Sequence, residues 1–189
     1  MDVNKAFEIV QPFLKPERFE HTKRVVETAV KLSQKYGGDQ NKVELAAAFH
    51  DIAKNRPADL LKRWILREPL LPRDLLEFHH ELWHGPVGAL MVRQDYGIED
   101  PDILNAIRYH TTGRPAMTKL EKIVFIADYI EPGRKFPGIE EAREITEKDL
   151  DLGCHVALKN TIQFLMKQRQ PIYPATFYAY NDLTQKLKR

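Results

Sequence analysis

The dipeptide His50-Asp51 closes the apolar stretch Val43 to Ile52. A carboxylate beside an imidazole at the end of an apolar segment is costly to bury unless a charge partner or a metal ion satisfies it. Partners of the right type lie elsewhere: His21 upstream, and His84, His110 and Asp128 downstream. Imidazole and carboxylate donors without a thiolate suit divalent iron, manganese, cobalt or zinc. As a set, His21, His50, Asp51 and Asp128 leave coordination positions for water and a phosphate oxygen. An ion held there lowers the pKa of its water toward neutrality and neutralises charge building on phosphoryl oxygens. His84 and His110 could serve a second ion, or donate hydrogen bonds to phosphate and leaving group. Lys54, Arg56, Arg114 and Arg134 follow the candidate ligands in loops, where phosphate clamps belong. The chemistry indicated is hydrolysis of a phosphate ester in a metal site.

Helices must bring these side chains together. Val3, Phe7, Val10 and Leu14 recur at three- and four-residue steps and predict a first amphipathic helix. A second runs from about Glu17 to Tyr36, with His21, Val25, Thr28 and Leu32 on one face, and Gly37-Gly38 stops it. Asn41 with Glu44 reads as a capping box for a third helix, on which Val43, Ala46, Ala47 and His50 share a stripe. Short helices are expected over Asp59–Leu66 and Ile139–Ile145. Pro86 suits the first turn of another helix, reaching Asp95. Asp100-Pro101 starts one carrying Ile103, Ile107 and His110. Thr118 and Glu121 form a second capping box for the helix of Leu120, Val124 and Asp128. A long helix from about Glu147 to Lys167 and a last one from Thr176 complete the chain. No stretch alternates with period two, so the fold is expected to be all-α, in one domain over residues 1–189.

The 189 residues carry a net charge of +2, with 43% hydrophobic and 30% charged residues. That near-neutral balance gives no support to coating a nucleic-acid polymer. One cysteine, Cys154, excludes a disulfide framework or a cysteine-rich zinc module and fits a reducing cytoplasm. The opening residues lack a signal-peptide pattern, and no apolar run is long enough to span a membrane.

Bland readings compete with these. A lone histidine on an apolar face is more often a satisfied core residue. Asp128 could simply pair with an arginine. His79 and His80 suit a surface loop, Cys154 a small core position. Tyr173, Phe177, Tyr178 and Tyr180 suit packing better than base stacking. The joint pattern lifts the metal reading: several ionisable residues, each on a core-facing stripe.

The order His21, His50-Asp51, Asp128, and the segment Ala46-Ala47-Ala48-Phe49-His50-Asp51-Ile52-Ala53-Lys54, resemble the HD-domain phosphohydrolase superfamily. His84, and His110 within Ile107–Gly113, resemble the extended form of that motif. Ala127–Arg134 and the tail Pro174-Ala175-Thr176 with Asn181 are similar to the bacterial YqeK group of symmetrical diadenosine tetraphosphate hydrolases. The resemblance covers about Glu17 to Asn181. It implies an HD-domain helical bundle, with an HD core over about 17–130 and C-terminal helices over 138–189 packing on it. It implies cleavage of the central phosphoanhydride into two ADP, with a nucleotide as partner. His21, His50, Asp51 and Asp128 would hold the metal, iron before manganese, cobalt or zinc, with a second ion left open. Asp51, His84 and His110 would act in catalysis. His84, His110 and Thr111 would face the polyphosphate, and Arg18, Arg134 and the segment Tyr173 to Thr176 the nucleotide, beside Lys54 as a phosphate-binding residue from the loop reading. His80 stands as an alternative to His84. Two rivals stay open: another HD-type phosphohydrolase acting on a nucleoside monophosphate or guanosine alarmone, and a non-catalytic nucleotide-binding helical module. A homodimer is carried as an option.

Overall fold

The computed structural model describes residues 1–188. Among them are helices and 3-10 turns and no strand, as the periodicity predicts. Helix α1 is Val3–Val10. Pro12 lacks the N–H that would continue it, and the chain tightens into a 3-10 turn over Gln11–Phe13. Helix α2 is Pro16–Tyr36, with proline at the first position, where its missing donor has no intrahelical partner anyway. Gly37, at φ 79°, ends it in a backbone conformation that side chains disfavour.

Helix α3, Gln40–Phe49, is the hub. Leu45 to Phe49 are all buried, including three consecutive alanines with no exposed surface. Those small side chains let neighbouring backbones come close, and α1, α2, α6 (Pro101–Tyr109) and α7 (Lys119–Ile130) all pack around α3. Full burial of Phe49 and Ile52 contributes about 1.5–3 kcal/mol each. Helix α5, His84–Tyr96, lies against α6. Helix α4, Ala58–Arg67, forms a second apolar cluster with the following 3-10 turns and α5, built on Leu61, Ile65, Leu75 and Trp83. Helices α8 (Ile139–Thr146), α9 (Leu150–Lys167) and α10 (Pro174–Leu187) cover the other side. The main core is continuous from Ala6 in α1 to Leu183 in α10. No helix among the described residues is long and apolar enough to cross a membrane.

Several boundaries differ from expectation, each for a local reason. Asp39, not Asn41, caps α3, accepting the Lys42 N–H at 3.1 Å. Asn41 lies inside the helix, and Glu44 takes a hydrogen bond from the Gln40 amide instead. Glu147 terminates α8, and Asp149 caps α9 through the Leu152 N–H at 2.9 Å, so α9 starts three residues later than predicted. Pro174 opens α10 two residues early. The capping box at Thr118 and Glu121 is present as predicted.

Candidate metal centre

Helix α3 ends at Phe49, so His50 stands at its C-cap and Asp51 enters the following turn. The chain reverses there through a Lys54 N–H bond to the Asp51 carbonyl. This end of the hub helix is where α2, α5, α6 and α7 deliver their own polar side chains. His21 comes from α2, His84 from the first residue of α5, His110 from the C-cap of α6, and Asp128 from the last turn of α7. His21, His50, Asp51, His84 and His110 are all buried.

Every one of the four imidazoles has its Nδ1 committed. His50 Nδ1 lies 2.6 Å from the Ala47 carbonyl, His84 Nδ1 2.7 Å from that of Glu81, and His110 Nδ1 2.7 Å from that of Ile107. A carbonyl only accepts, so these Nδ1 atoms carry the proton and donate. In a neutral ring Nε2 then holds a lone pair. His21 Nδ1 donates likewise to Glu131 Oε1 at 3.1 Å. Glu131 is itself gripped by Arg24 Nε at 2.6 Å and by the Gly133 N–H. Burial works against its charge, but Arg24, His21 and Gly133 outweigh it and hold its carboxyl down at about 2. A carboxylate behind a histidine, fixing tautomer and ring, is the second layer of many metal sites.

The four Nε2 atoms aim at two carboxylates. Asp51 Oδ2 lies 3.7 Å from His21 Nε2 and 3.3 Å from His50 Nε2, while Oδ1 lies 3.0 Å from His84 Nε2 and 3.7 Å from His110 Nε2. Asp128 Oδ1 lies 3.0 Å from His21 Nε2 and 3.9 Å from His50 Nε2. Although these atoms are close, His21 Nε2 and His50 Nε2 have no aligned hydrogen-bond partner. His84 Nε2 and His110 Nε2 face each other at 3.0 Å. Lone pairs pointed at carboxylate oxygens and at each other repel unless a positive charge sits among them. The donor set therefore fits a divalent cation, and three overlapping triads each gather their atoms within 4.8 Å: His21/His50/Asp51, His50/His110/Asp128 and Asp51/His84/His110.

Electrostatics run the same way. Burial opposes ionisation of Asp51 and of Asp128. Positive charge beside them outweighs it, cationic His50 and His84 for Asp51 and His21 with Arg134 for Asp128, and holds both carboxyls well below the usual carboxylate range; with the rings neutral, that charge has to come from a bound cation. Burial and the neighbouring His84 and His50 push His110 down to about 3.

Close packing of α5 on α6 makes the His84–His110 approach possible. A Cβ on Gly85 would meet the Arg108 carbonyl at 2.9 Å, so only glycine fits. His80, the alternative to His84, is half exposed on the surface beside His79 and takes no part. Arg18 bonds Asp51 Oδ2 at 3.1 Å, and Arg134 bonds Asp128 Oδ1 at 2.6 Å. Lys54 is ion-paired with Glu81. Thr111 follows His110, with its hydroxyl buried and unpartnered. Tyr173 and the buried Thr176 line a cavity with Thr111. Two expected clamps are engaged elsewhere: Arg114 forks onto Glu121, and Arg56 lies over the Phe13 ring at 4.4 Å. The Arg114 charge is already matched and Arg56 is turned onto an aromatic face, which a loop position alone could not reveal. Cys154 is buried, as a core residue should be. Glu131 and Arg24 escaped the sequence reading. Their signal was faint: an acid three residues after Asp128, and a base one turn beyond His21.

Known proteins extend the geometry. Residues 18–133 match the HD domain family. The chain is 49% identical over 183 residues to a Bacillus subtilis protein named "Bis(5'-nucleosyl)-tetraphosphatase, symmetrical", covering 97% of this chain and 98% of the relative. It is 50% identical over 188 residues to the protein of that name from Halalkalibacterium halodurans, covering 100% of both. A crystal structure from Clostridium acetobutylicum, described as a predicted HD superfamily hydrolase involved in NAD metabolism, superposes with a TM-score of 0.92 at 35% identity, covering 98% of each chain. The buried His/Asp centre, the helical frame and these likenesses agree, and the chain belongs to the HD domain family, within the group of the symmetrical bis(5'-nucleosyl)-tetraphosphatases.

Proposed function

We propose that this protein is a divalent-cation-dependent hydrolase that splits diadenosine tetraphosphate symmetrically into two ADP. The observation that carries the site assignment is the pair of buried, unpartnered Nε2 atoms of His21 and His50 facing Asp51 and Asp128. The full-length relatives named for this reaction support the substrate. His21, His50, Asp51 and Asp128 would hold the ion. His84 and His110 with Asp51 Oδ1 would hold a second one, so Asp51 is the residue shared between the two halves. When bound, a divalent cation acidifies water and neutralises phosphoryl charge.

The chain supplies the rest. Nδ1 donation to fixed carbonyls keeps the His50, His84 and His110 rings in the ligating tautomer without reorganisation. Glu131 holds the His21 ring. Arg18 and Arg134 keep Asp51 and Asp128 in place and bring positive charge toward a polyphosphate. Lys54 and the buried, unpartnered Thr111 hydroxyl add donors. Water adds to an inner phosphorus, the central phosphoanhydride bond breaks, and each ADP keeps one of the resulting oxygens. Iron is the proposed ion, supported by the imidazole–carboxylate donor set, which manganese, cobalt and zinc also suit. The lone thiol of Cys154, free and buried, supports a reducing cytoplasmic setting.

Metal analysis and product identification test this together. The wild type should carry divalent metal and yield two ADP per substrate molecule, and His50→Ala and Asp128→Ala should lose both metal and turnover. Undiminished metal content and hydrolysis in both variants would sink the site. A preference for a nucleoside monophosphate or guanosine alarmone would sink the substrate.

A further inference from the structure

Two cavities are each lined by a residue that directly follows a member of the His/Asp centre in the chain. The first, about 510 Å³, starts at Tyr129, the residue after Asp128, and is walled by Phe136, Asn160 and Gln163. The second, about 420 Å³, starts at Thr111, the residue after His110, and is walled by Leu82, Gln168 and Tyr173. Both volumes suit a small organic ligand. Thr161 and Phe164 of α9 line both cavities. Phe164 is 61% exposed, a large aromatic ring left in water on the rib between them.

The walls are alike in chemistry. Tyr129 meets Phe136 edge to face at 5.1 Å between ring centroids, and Tyr173 meets Phe78 in the same way at 5.0 Å. Each cavity therefore has a braced aromatic ring, and each has amide side chains: Asn160 and Gln163 in one, Gln168 and Gln170 in the other. Aromatic faces stack bases, and amides reach their hydrogen-bonding edges. Thr111, whose hydroxyl is buried and unpartnered, lines the second cavity, where a polar group of a ligand would satisfy it.

We infer that the two cavities are paired nucleoside subsites, one for each half of a dinucleoside polyphosphate, with Phe164 as the shared wall that spaces them. This rests on the reading of the centre as a phosphoanhydride hydrolase. In this reading, a ligand with a base in each cavity runs its phosphates across the cluster. The middle of the polyphosphate then comes to Asp51, and the terminal anhydrides do not. Symmetrical cleavage follows from this placement, since the anhydride links themselves are chemically similar.

Calorimetric titration of the metal-loaded protein with ADP, alongside hydrolysis of diadenosine tetraphosphate, tests the pairing. Two ADP per chain are expected. Gln163 and Gln168 are exposed, one on each cavity, so Gln163→Trp and Gln168→Trp fill a cavity without entering the core. Each should leave one ADP per chain and raise KM for the tetraphosphate about ten-fold, the worth of one lost stacking site. Phe164→Ala should weaken both ADP sites together. One ADP per chain in the wild type, or two in both tryptophan variants, overturns the paired subsites even while tetraphosphate hydrolysis persists. A wild type that neither hydrolyses the tetraphosphate nor binds ADP overturns the hydrolase reading itself, and the pairing with it.

Discussion

Two carboxylates lie buried in this molecule to nearly the same depth, Asp51 at 2% exposure and Glu121 at 1%. Their surroundings are opposite in kind. Glu121 is finished. Arg114 forks onto it with Nε to Oε1 at 2.7 Å and Nη2 to Oε2 at 3.0 Å, and the Thr118 N–H donates to Oε2 at 2.6 Å. Charge, geometry and hydrogen bonds are closed within the chain. Asp51 has one arginine, Arg18, and then four imidazole nitrogens whose protons are on the far side of the ring. A buried charge left incomplete by its own protein is a demand for a ligand. Burial by itself separates nothing; the direction in which neighbouring protons point does.

The largest expected effect breaks the unfinished side. Asp51→Asn should remove bound metal and lower kcat/KM by at least about 10³, or ~4 kcal/mol of transition-state stabilisation, because it disconnects both halves of the centre at once. Its metal-free form should unfold no earlier than the metal-free wild type, read by thermal melts. A clear loss of metal-free stability would place Asp51 with Glu121 as a structural charge.

Glu121→Ala is the mirror test. Arg114 loses its partner and the α7 capping box loses its acid, which should cost about 3–5 kcal/mol of stability in denaturant titration. Turnover per folded molecule should stay within about two-fold. A selective loss of turnover at full stability would contradict the division.

Chelation sharpens the contrast. Stripping metal at about 100 times its Kd withdraws about 2.7 kcal/mol of linkage stabilisation. The wild type should then melt several degrees lower, at roughly 2–4 °C per kcal/mol for a chain of this size. Glu121→Ala should show the same metal-dependent shift and Asp51→Asn none.

Glu131→Gln tests the layer behind the proposed ligands. It keeps size and one hydrogen bond to His21 but removes the charge that orients the ring. Metal affinity should weaken about 10–100-fold, measured by competition with a chromogenic chelator, with little change in fold.

The smallest effect calibrates ordinary surface charge. Asp182 accepts from Lys186 and from the Ala116 N–H at 2.9 Å. Burial is the largest single influence and raises its pKa, but the two bonds with the Lys186 charge together win and leave it below the usual value. A depressed carboxyl stabilises above its unfolded pKa near 4, and that contribution fades as pH falls through the lower folded value. Wild type should therefore exceed Asp182→Asn by about 0.5 kcal/mol at neutral pH, and the difference should shrink as pH falls through the lowered folded pKa.

The sequence alone determined the helical class, because three- and four-residue apolar steps run through the chain and nothing alternates. It also pointed to the chemistry proposed here. Imidazole and carboxylate at His21, His50, Asp51 and Asp128 on core-facing positions have few uses other than gripping a cation. Helix starts were legible only where one cap candidate stood alone, as at Thr118. Near Asp39 and Asp149 two candidates competed, and local turns chose between them. The tertiary structure decided which charges were already matched. Arg114 and Arg134 look alike as loop arginines, yet one is locked to Glu121 and the other lies on Asp128. It separated His84 from His80, since only the former follows the α5–α6 contact that Gly85 permits. It also brought in Glu131 and set two cavities astride Phe164. Such pairings join residues far apart in the chain, and no spacing rule records which way a ring turns once helices pack.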